Sequence, residues 1–445
     1  MSLSTPEKIR DLQKKLYEAA KRDSKRRFHA LYDKVHRPDI LTHAYRLCRA
    51  NGGAPGVDGT TFEQIEAAGL ERFLEELGRE LQEHRYRANA VRRVHIPKPG
   101  QPGKTRPLGI PTVKDRTVQT AAVLVLEPIF EADLQPEQHA YREGHSAQEA
   151  VREVHRHLQA GFTEVVDADL SGYFDSIPHA ELMKSVARRI SDPHVLGLVK
   201  MWLEAPVEET DEKGRKKRTT ENRDQHRGTP QGGCISPLLS NLYMRRFLMA
   251  WKQRGLERLL QTRIVNYADD FVVLCRRKAH DALAHVKDIM SRLKLTVNET
   301  KTRLCSVPQD SFDFLGYTFG RVFNPKVGRF YIGARPSAKR LARLRDNLRD
   351  MTGSNAPIPD EEMVERLNRF LRGWSEYFSY GTLSKAYHTA GDAVRDRLRR
   401  WLSRKHKVHG AGIERYSPSY LYKTLGLLDI EQLLQQRRRT AHAAS

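Results

Sequence analysis

Residues 266 to 275 read NYADDFVVLC. Two acids, Asp269 and Asp270, stand between apolar runs, with Ile264 and Val265 leading in and Val272, Val273 and Leu274 leading out. Short apolar runs on both sides of a polar break read as two strands joined by a tight hairpin turn. The chain therefore brings a doubled negative charge to the tip of a buried hairpin. A second stretch, TEVVDADLSGYFDSIP (residues 163 to 178), has the same character. The strand period of two puts Val165, Asp167 and Asp169 on one face and Val166, Ala168 and Leu170 on the other, so an acid reaches the open end of a strand. Carboxylates crowded on rigid strands repel one another, which raises their pKa values and costs stability unless a cation compensates. All-oxygen donors with few other ligands suit Mg²⁺, which keeps several waters and completes its shell with substrate phosphates. Two such ions roughly 3.5 to 4 Å apart clamp the attacking and leaving oxygens of an in-line phosphoryl transfer. Each stretch also has a plain reading: a DD pair in a turn is commonly a solvated surface feature, and Asp169 alone could cap the next helix.

Composition narrows the choice. The chain has 445 residues, 39% of them hydrophobic, enough for two or three domains with real cores. Its 77 Lys+Arg against 55 Asp+Glu leave a formal charge of +22, which points to a polyanionic partner. No apolar run approaches the ~18 to 20 residues that cross a bilayer, and MSLSTPEKIRDLQKK lacks the apolar core of a signal peptide, so no membrane partner and a cytoplasmic location are expected. Cys48, Cys234, Cys275 and Cys305 stand far apart with no CxxC pair, and read as small buried side chains rather than a disulfide or zinc framework.

Along the chain, Thr5 and Pro6 form a cap and first-turn pair for a basic amphipathic helix. NGGAPGVDG (residues 51 to 59) has too many glycines for regular structure and must approach something closely. VRRVHIPK and KTRPLGIP, separated by PGQPG, predict a hairpin carrying Arg92, Arg93, Lys98, Lys104 and Arg106. From about 115 to 350, helical and strand-like runs alternate as one α+β domain. The composition changes at MTGSNAPIPD (residues 351 to 360), and the remainder reads as helical and arginine-rich. Residues 321 to 445 hold 25 Lys+Arg and 12 Asp+Glu, a net +13.

In this order the blocks resemble the group II intron-encoded reverse transcriptases, or maturases. DADLSGYFDSI is similar to polymerase motif A, RGTPQGGCISPLLSNLY to motif B, NYADDFVVLC to motif C, and LTVNETKTR with FDFLGYTF to the two blocks that follow. IPKPGQPGKTRPLGIPTVKDR resembles the fingers hairpin, and FLRGWSEYFSY (residues 370 to 380) the aromatic block of the thumb or maturase region. The resemblance implies an α+β right-hand polymerase: an N-terminal helical extension over residues 1–60, fingers and palm over 61–350, and a helical thumb or maturase region over 351–445. It implies RNA-directed DNA synthesis with two Mg²⁺ ions, in which a DNA or RNA primer's 3′ hydroxyl attacks the α-phosphate of a dNTP on an RNA template, beside binding of the chain's own intron RNA to assist splicing.

The metal set so implied is Asp169, Asp269 and Asp270, with Leu170 beside them; Asp169 and Asp269 are preferred as direct ligands and Asp270 as an outer member. Phe174 stands where similar enzymes place an aromatic ring under the sugar, its alternative being an ordinary core phenylalanine. Gln231, between a proline and two glycines, would approach the nascent base pair, or is a plain turn residue. Lys98 and Arg106 would grip the triphosphate, or belong to a generic basic hairpin. Lys301 would meet pyrophosphate, or is a solvated helix-end lysine. Arg395, Arg397, Arg399, Arg400, Arg404, Lys405 and Lys407, interleaved with Trp401, read as phosphate contacts around a stacking surface, or as a solvated charged face. Trp374 and Tyr377, three apart on one helical face, read as thumb core.

Two departures stand out. The fingers tip PKPGQPGKTRP is longer than the family's PKPGGKTRP, and in YREGHSAQEAV Glu143 and His145 replace a proline and an arginine. The absence of CxxC pairs at the end of the chain leads to the expectation of no zinc-supported endonuclease. Rival readings are a reverse transcriptase recruited to antiphage defence or CRISPR spacer acquisition, and a splicing factor that binds RNA without polymerising; three clustered acids beside phosphate argue against the last.

Overall fold

Residues 121 to 126 read AAVLVL, apolar all round a helix, so the helix that contains them has to be enclosed by protein. In the computed structural model, which describes residues 3–97, 103, 105–211, 213–325, 327–353, 358–410 and 412–443, this helix runs Val113–Glu131. Thr112 starts it, its hydroxyl accepting from the amide of Asp115 at 3.1 Å. Val118, Ala121, Ala122, Val125, Leu126, Ile129 and Phe130 are all essentially inaccessible. The helices Glu7–Arg22 and Pro38–Asn51 pack against it. Pro6 stands at the N-cap of the first of these, one position before the first-turn place expected for it. Gly56 of the glycine-rich loop lies against the backbone of Thr112, where an added Cβ would come within 2.6 Å, and Arg116 holds the loop by donating to the carbonyls of Gly52 and Ala54.

The strands in chain order are β1 (Val91–Pro97), β2 (Thr105–Ile110), β3 (Glu164–Ala168), β4 (Val207–Thr210), β5 (Lys216–Thr219), β6 (Thr262–Tyr267), β7 (Asp270–Cys275), β8 (Arg303–Ser306), β9 (Phe312–Phe314), β10 (Tyr317–Asn324) and β11 (Arg329–Pro336). They form three sheets, ordered β2-β1-β4-β5, β6-β7-β3-β8 and β11-β10-β9. The predicted fingers hairpin is β1 with β2, antiparallel with Val94 opposite Leu108. Its far edge carries an unforeseen hairpin, β4 with β5, which joins β1 in parallel with Val91 opposite Val207.

By contact density the chain divides into two compact units, Met1–Ser146 with Val166–Leu304, and Ala147–Val165 with Cys305–Ser445. These divisions fall elsewhere than the change of composition at residue 351. The first unit holds the 113–131 helix, the sheet around β1 and the β6-β7 hairpin. The helix Ser236–Gln253 lies in the same core, with Tyr243, Phe247 and Trp251 wholly buried.

The second unit contains the β9–β11 sheet and the helices Ala147–Gln159, Ala338–Met351, Asp360–Tyr377, Ser384–Lys405 and Ile430–Ala443, with a short π-helical turn at Tyr420–Thr424. Trp374 is core, as its spacing implied, packed on Phe378 and Tyr387 at ring-centroid distances of 5.1 and 5.3 Å. Tyr377 donates its hydroxyl to Leu315 O at 2.7 Å. Of the cysteines, Cys48, Cys275 and Cys305 are buried as expected and Cys234 is half-buried. No helix among the described residues is long and apolar enough to cross a membrane.

The motif B loop meets the fingers strand closely enough for backbone to touch backbone. Gly109 N donates to Gln231 O at 2.5 Å, and Gly232, at φ +110°, has Gly109 O where its Cβ would be, 2.1 Å away. Gly232→Ala should therefore cost about 2 kcal/mol or more in urea unfolding, from strain and clash together. Gly197→Ala, inside the helix Pro193–Leu203 with open space around it, should be neutral or stabilising by roughly 0.5 to 1 kcal/mol. Equal costs at the two positions would contradict this account of the close approach.

Candidate active site

The acid cluster is built by two strand ends. β6 and β7 pair with Val265 opposite Val272 and Tyr267 opposite Asp270, leaving Ala268 and Asp269 as a two-residue link. Such links need backbone twist of the strand's own hand, and Ala268 supplies it at φ +57°. The turn is pinned from beneath by the fully buried Asn266, whose Nδ2 donates to Ala268 O at 2.8 Å and Asp270 O at 3.3 Å. Asp169 follows the last residue of β3. Its carbonyl accepts from Asn298 N at 2.8 Å and its amide donates to Thr302 Oγ1 at 3.3 Å, so the NETKTR segment latches it in place.

The electrostatics follow from this crowding. Desolvation pushes the pKa of Asp269 up, opposed by its own backbone amide and by Arg106 and Lys301, while Asp169 adds to the rise. Asp270 keeps an exposed side, yet the protein crowded round its carboxylate desolvates it. With the charges of Asp269, Asp169 and Asp167 added, its pKa is pushed up to about 7 despite Lys301. Three acids thus lie within electrostatic reach of one another, as the sequence implied for a metal set. Lys301 Nζ sits 3.0 Å from Asp169 Oδ2, and Arg303 Nη2 lies 3.4 Å from Asp167 Oδ2. The oxygen-only donor set and the mutual repulsion fit a hard divalent cation. Leu170 is buried, in an isolated bridge with Val297, so only its main chain could contribute to such a site.

The other expected substrate residues divide. Arg106 is exposed on β2, close enough to lower the pKa of Asp269, so the fingers hairpin delivers a cation to the acid cluster. Lys98, with Lys104, lies outside the described residues. Phe174 is half-buried in the short helix Tyr173–Ser176, edge-on to Tyr173, and its carbonyl accepts from Thr229 N at 2.7 Å, tying motif A to motif B. Gln231 is half-buried, its carbonyl held by Gly109. Lys301 is exposed, as its solvated reading had it, and is at the same time ion-paired to Asp169.

Tyr141 was not singled out by its sequence. It is 49% exposed, has a left-handed backbone at φ +55°, and its pKa is raised by burial and by Asp269, Tyr267 and Asp270, against the pull of Arg106. A bulky residue in that region of backbone space is rare and is concentrated at functional sites. Nothing in the letters YREGHS signals it, because the strain is set by tertiary packing.

In the second unit, most of the expected RNA-binding set is engaged within the protein. Arg395 pairs with Asp392 and Glu431 and donates to Tyr422 Oη; Arg399 donates to Tyr416 O; Lys405 pairs with Asp360 at 2.6 Å. Trp401 corrects the expectation of a stacking surface: it is 4% exposed, on the buried face with Val394 and Leu398, spacings of seven and three. Arg400 and Arg404 remain exposed.

Comparison with known proteins agrees with the geometry. The family model for reverse transcriptase (RNA-dependent DNA polymerase) matches residues 96–319, which include all three acids, and that for the group II intron maturase-specific domain matches 341–417. The chain is 34% identical over 346 residues to protein YkfC of Escherichia coli, covering 69% of this chain and 87% of that protein. It is 32% identical over 222 residues to the group II intron-encoded protein LtrA of Lactococcus lactis, covering 49% of this chain and 34% of LtrA. An uncharacterised 91 kDa protein of the cob intron of Schizosaccharomyces pombe is 24% identical over 417 residues, of which the match spans 49% of its length.

Asp270 makes a pH prediction. Its folded pKa lies above the ordinary value, so between about pH 4 and 7 the unfolded chain releases this proton first and stability falls as pH rises. In EDTA, Asp270→Asn should melt above the wild type at pH 8 and level with it at pH 4. Millimolar Mg²⁺ at pH 8 should raise the wild-type melting temperature and narrow the gap; a variant that melts lower at pH 8 would count against the crowding. The two matched domains, with the 34% identity to a protein covered over 87% of its length, place the chain in the family of reverse transcriptases, the RNA-dependent DNA polymerases, of the group II intron maturase type.

Proposed function

We propose that this chain copies RNA into DNA at the Asp169, Asp269 and Asp270 cluster with two Mg²⁺ ions, and that its helical region binds an intron RNA to assist splicing. The observation that carries the first part is the shared charge of the three acids: each of Asp269 and Asp270 has its pKa raised in part by Asp169, a residue 100 or more positions away in sequence. The ions would be held by these carboxylates, and would supply charge neutralisation at the transferred phosphoryl group and a more acidic primer hydroxyl. The protein's own part is positioning. The β6-β7 turn, braced by Asn266, fixes Asp269 and Asp270, while the 298–302 segment fixes Asp169. Arg106, from the fingers, suits bidentate contact with the triphosphate of a dNTP. Lys301, a point charge beside Asp169, suits the phosphoryl groups of the substrate or the departing pyrophosphate. Phe174, half-open beside motif B, suits a floor for the sugar that disfavours a 2′ hydroxyl.

The name of LtrA as a group II intron-encoded protein, together with the maturase-specific match, supports the splicing role. The chain spans only about a third of LtrA. Net charge supports an RNA template or intron RNA as the polyanion.

Primer extension on an RNA template with dNTPs and Mg²⁺ should yield cDNA. Asp269→Ala should lower the rate by roughly a thousandfold, the several kcal/mol attributable to metal-held charge, while RNA affinity stays within twofold. Phe174→Ala should raise incorporation of ribonucleotides relative to deoxynucleotides by about tenfold. Extension at the wild-type rate by Asp269→Ala would overturn the assignment of the cluster.

A further inference from the structure

Arg395 and Arg399 of the helix Ser384–Lys405 are paired with acidic side chains, which makes the arginines without an acidic partner more informative. Arg397, Arg400 and Arg404 fall at spacings of three and four and so share one face of this helix, over about 10 Å of its length. The face does not lie flat. With Arg349 and Gly353 at the end of the helix Ala338–Met351, and with Ser403, Val408 and Gly410, it lines a cavity of about 460 Å³. Arg404 is fixed there by donating to Thr352 O at 2.6 Å, and the 408–410 turn is folded back by Val408 N donating to Ser403 O at 2.9 Å.

Four guanidinium groups around one basin repel one another. Arg349 has Asp346 at 3.1 Å, but among the described residues neither Arg397 nor Arg400 has an acidic partner. Guanidinium forks are the donor set of a phosphate site. The volume lies within the roughly 300 to 1,000 Å³ of pockets that enclose a ligand of nucleotide size, more than a bare phosphate ion needs.

We propose that this basin is a binding site for one nucleotide of single-stranded or sharply turned RNA, its phosphate held by Arg349, Arg397, Arg400 and Arg404. This deepens the RNA-binding part of the proposed function and rests on it. Concavity decides the form of the RNA. A duplex presents its phosphates along convex ridges, which suit an open basic face. A walled basin suits a phosphate that projects from a strand out of its stack, the form in which RNA loops, bulges and ends are recognised. The energetic logic is mutual: the RNA phosphate relieves the repulsion among the arginines, and the arginines replace the counterions it sheds.

The test uses the full chain and two labelled probes, a single-stranded RNA 20-mer and a blunt RNA duplex of 20 base pairs. The double substitution Arg397→Gln, Arg400→Gln should weaken the single strand about tenfold near 100 mM salt and make its log K against log salt slope shallower by about 1.4, two phosphates at ~0.7 each. Duplex affinity should change less than twofold, and Arg369→Gln, on the helix Asp360–Tyr377, should change neither. Equal losses on both probes would show a plain basic face, and no loss on either would show a basin without a ligand; both outcomes overturn the proposal. If the double variant melts well below the wild type, the exposed Arg349→Gln stands in for it, with a threefold loss expected on the single strand alone and overturning if absent. Primer extension by the wild-type chain is scored separately, so a failed basin with working extension counts against the basin, and failed extension counts against the polymerase reading.

Discussion

Like charges held together by strands are the constraint on which the rest of the molecule depends. Asp169, Asp269 and Asp270 would separate if the backbone allowed it, and several features of the first unit prevent that. Val265 and Val272 lock the register of β6 and β7, Asn266 braces the turn between them, and Asn298 with Thr302 holds the end of β3. Burial first, and then the charges of the neighbouring acids, raise the pKa values of Asp269 and Asp270, and the stability given up there is what a bound cation would recover. The same crowding that weakens the protein without a metal prepares it to hold one.

Around that cluster the first unit spends glycine where backbone must meet backbone. Gly232 lets the motif B loop lie on Gly109 of β2, and Gly56 lets the 51–59 loop lie on Thr112 at the start of the buried central helix. These close approaches tie the motif B loop to the fingers strand that carries Arg106, and the 51–59 loop to the central helix. In the second unit the logic is different: arginines are neutralised by Asp392 and Glu431, or held by carbonyls, and Lys405 by Asp360, until a small set without acidic partners remains. Function there is concentrated by subtraction.

Much of this was legible in the sequence because it is local. The β6-β7 hairpin shows as two apolar runs about YADD, and the fingers hairpin as two extended runs about a glycine- and proline-rich tip. The central helix shows in the helical pattern AAVLVLEPIFEADL. What escaped was set by partners far away in the chain. β4 and β5, VEET and KKRT, are too polar and short to announce strands, and exist because Val207 pairs with Val91. Trp401 looked exposed because its neighbours are basic, but the helical period aligns it with Val394 and Leu398, and that period was the better guide. Tyr141 carries no local signal, since its left-handed backbone is imposed by packing. The basin of four arginines likewise needs a residue from a second helix to close it.

The central claim is that one metal site is shared by the end of β3 and the turn between β6 and β7. Loading the protein with Fe²⁺ in place of Mg²⁺, adding ascorbate and peroxide, and mapping the backbone cuts by mass spectrometry tests it directly, because hydroxyl radicals cut where the metal is bound. Cuts at both segments, near residues 168–171 and near 267–271, suppressed together by Asp169→Asn, are the predicted result. Cuts at one segment alone, or at both with no response to that substitution, would contradict it.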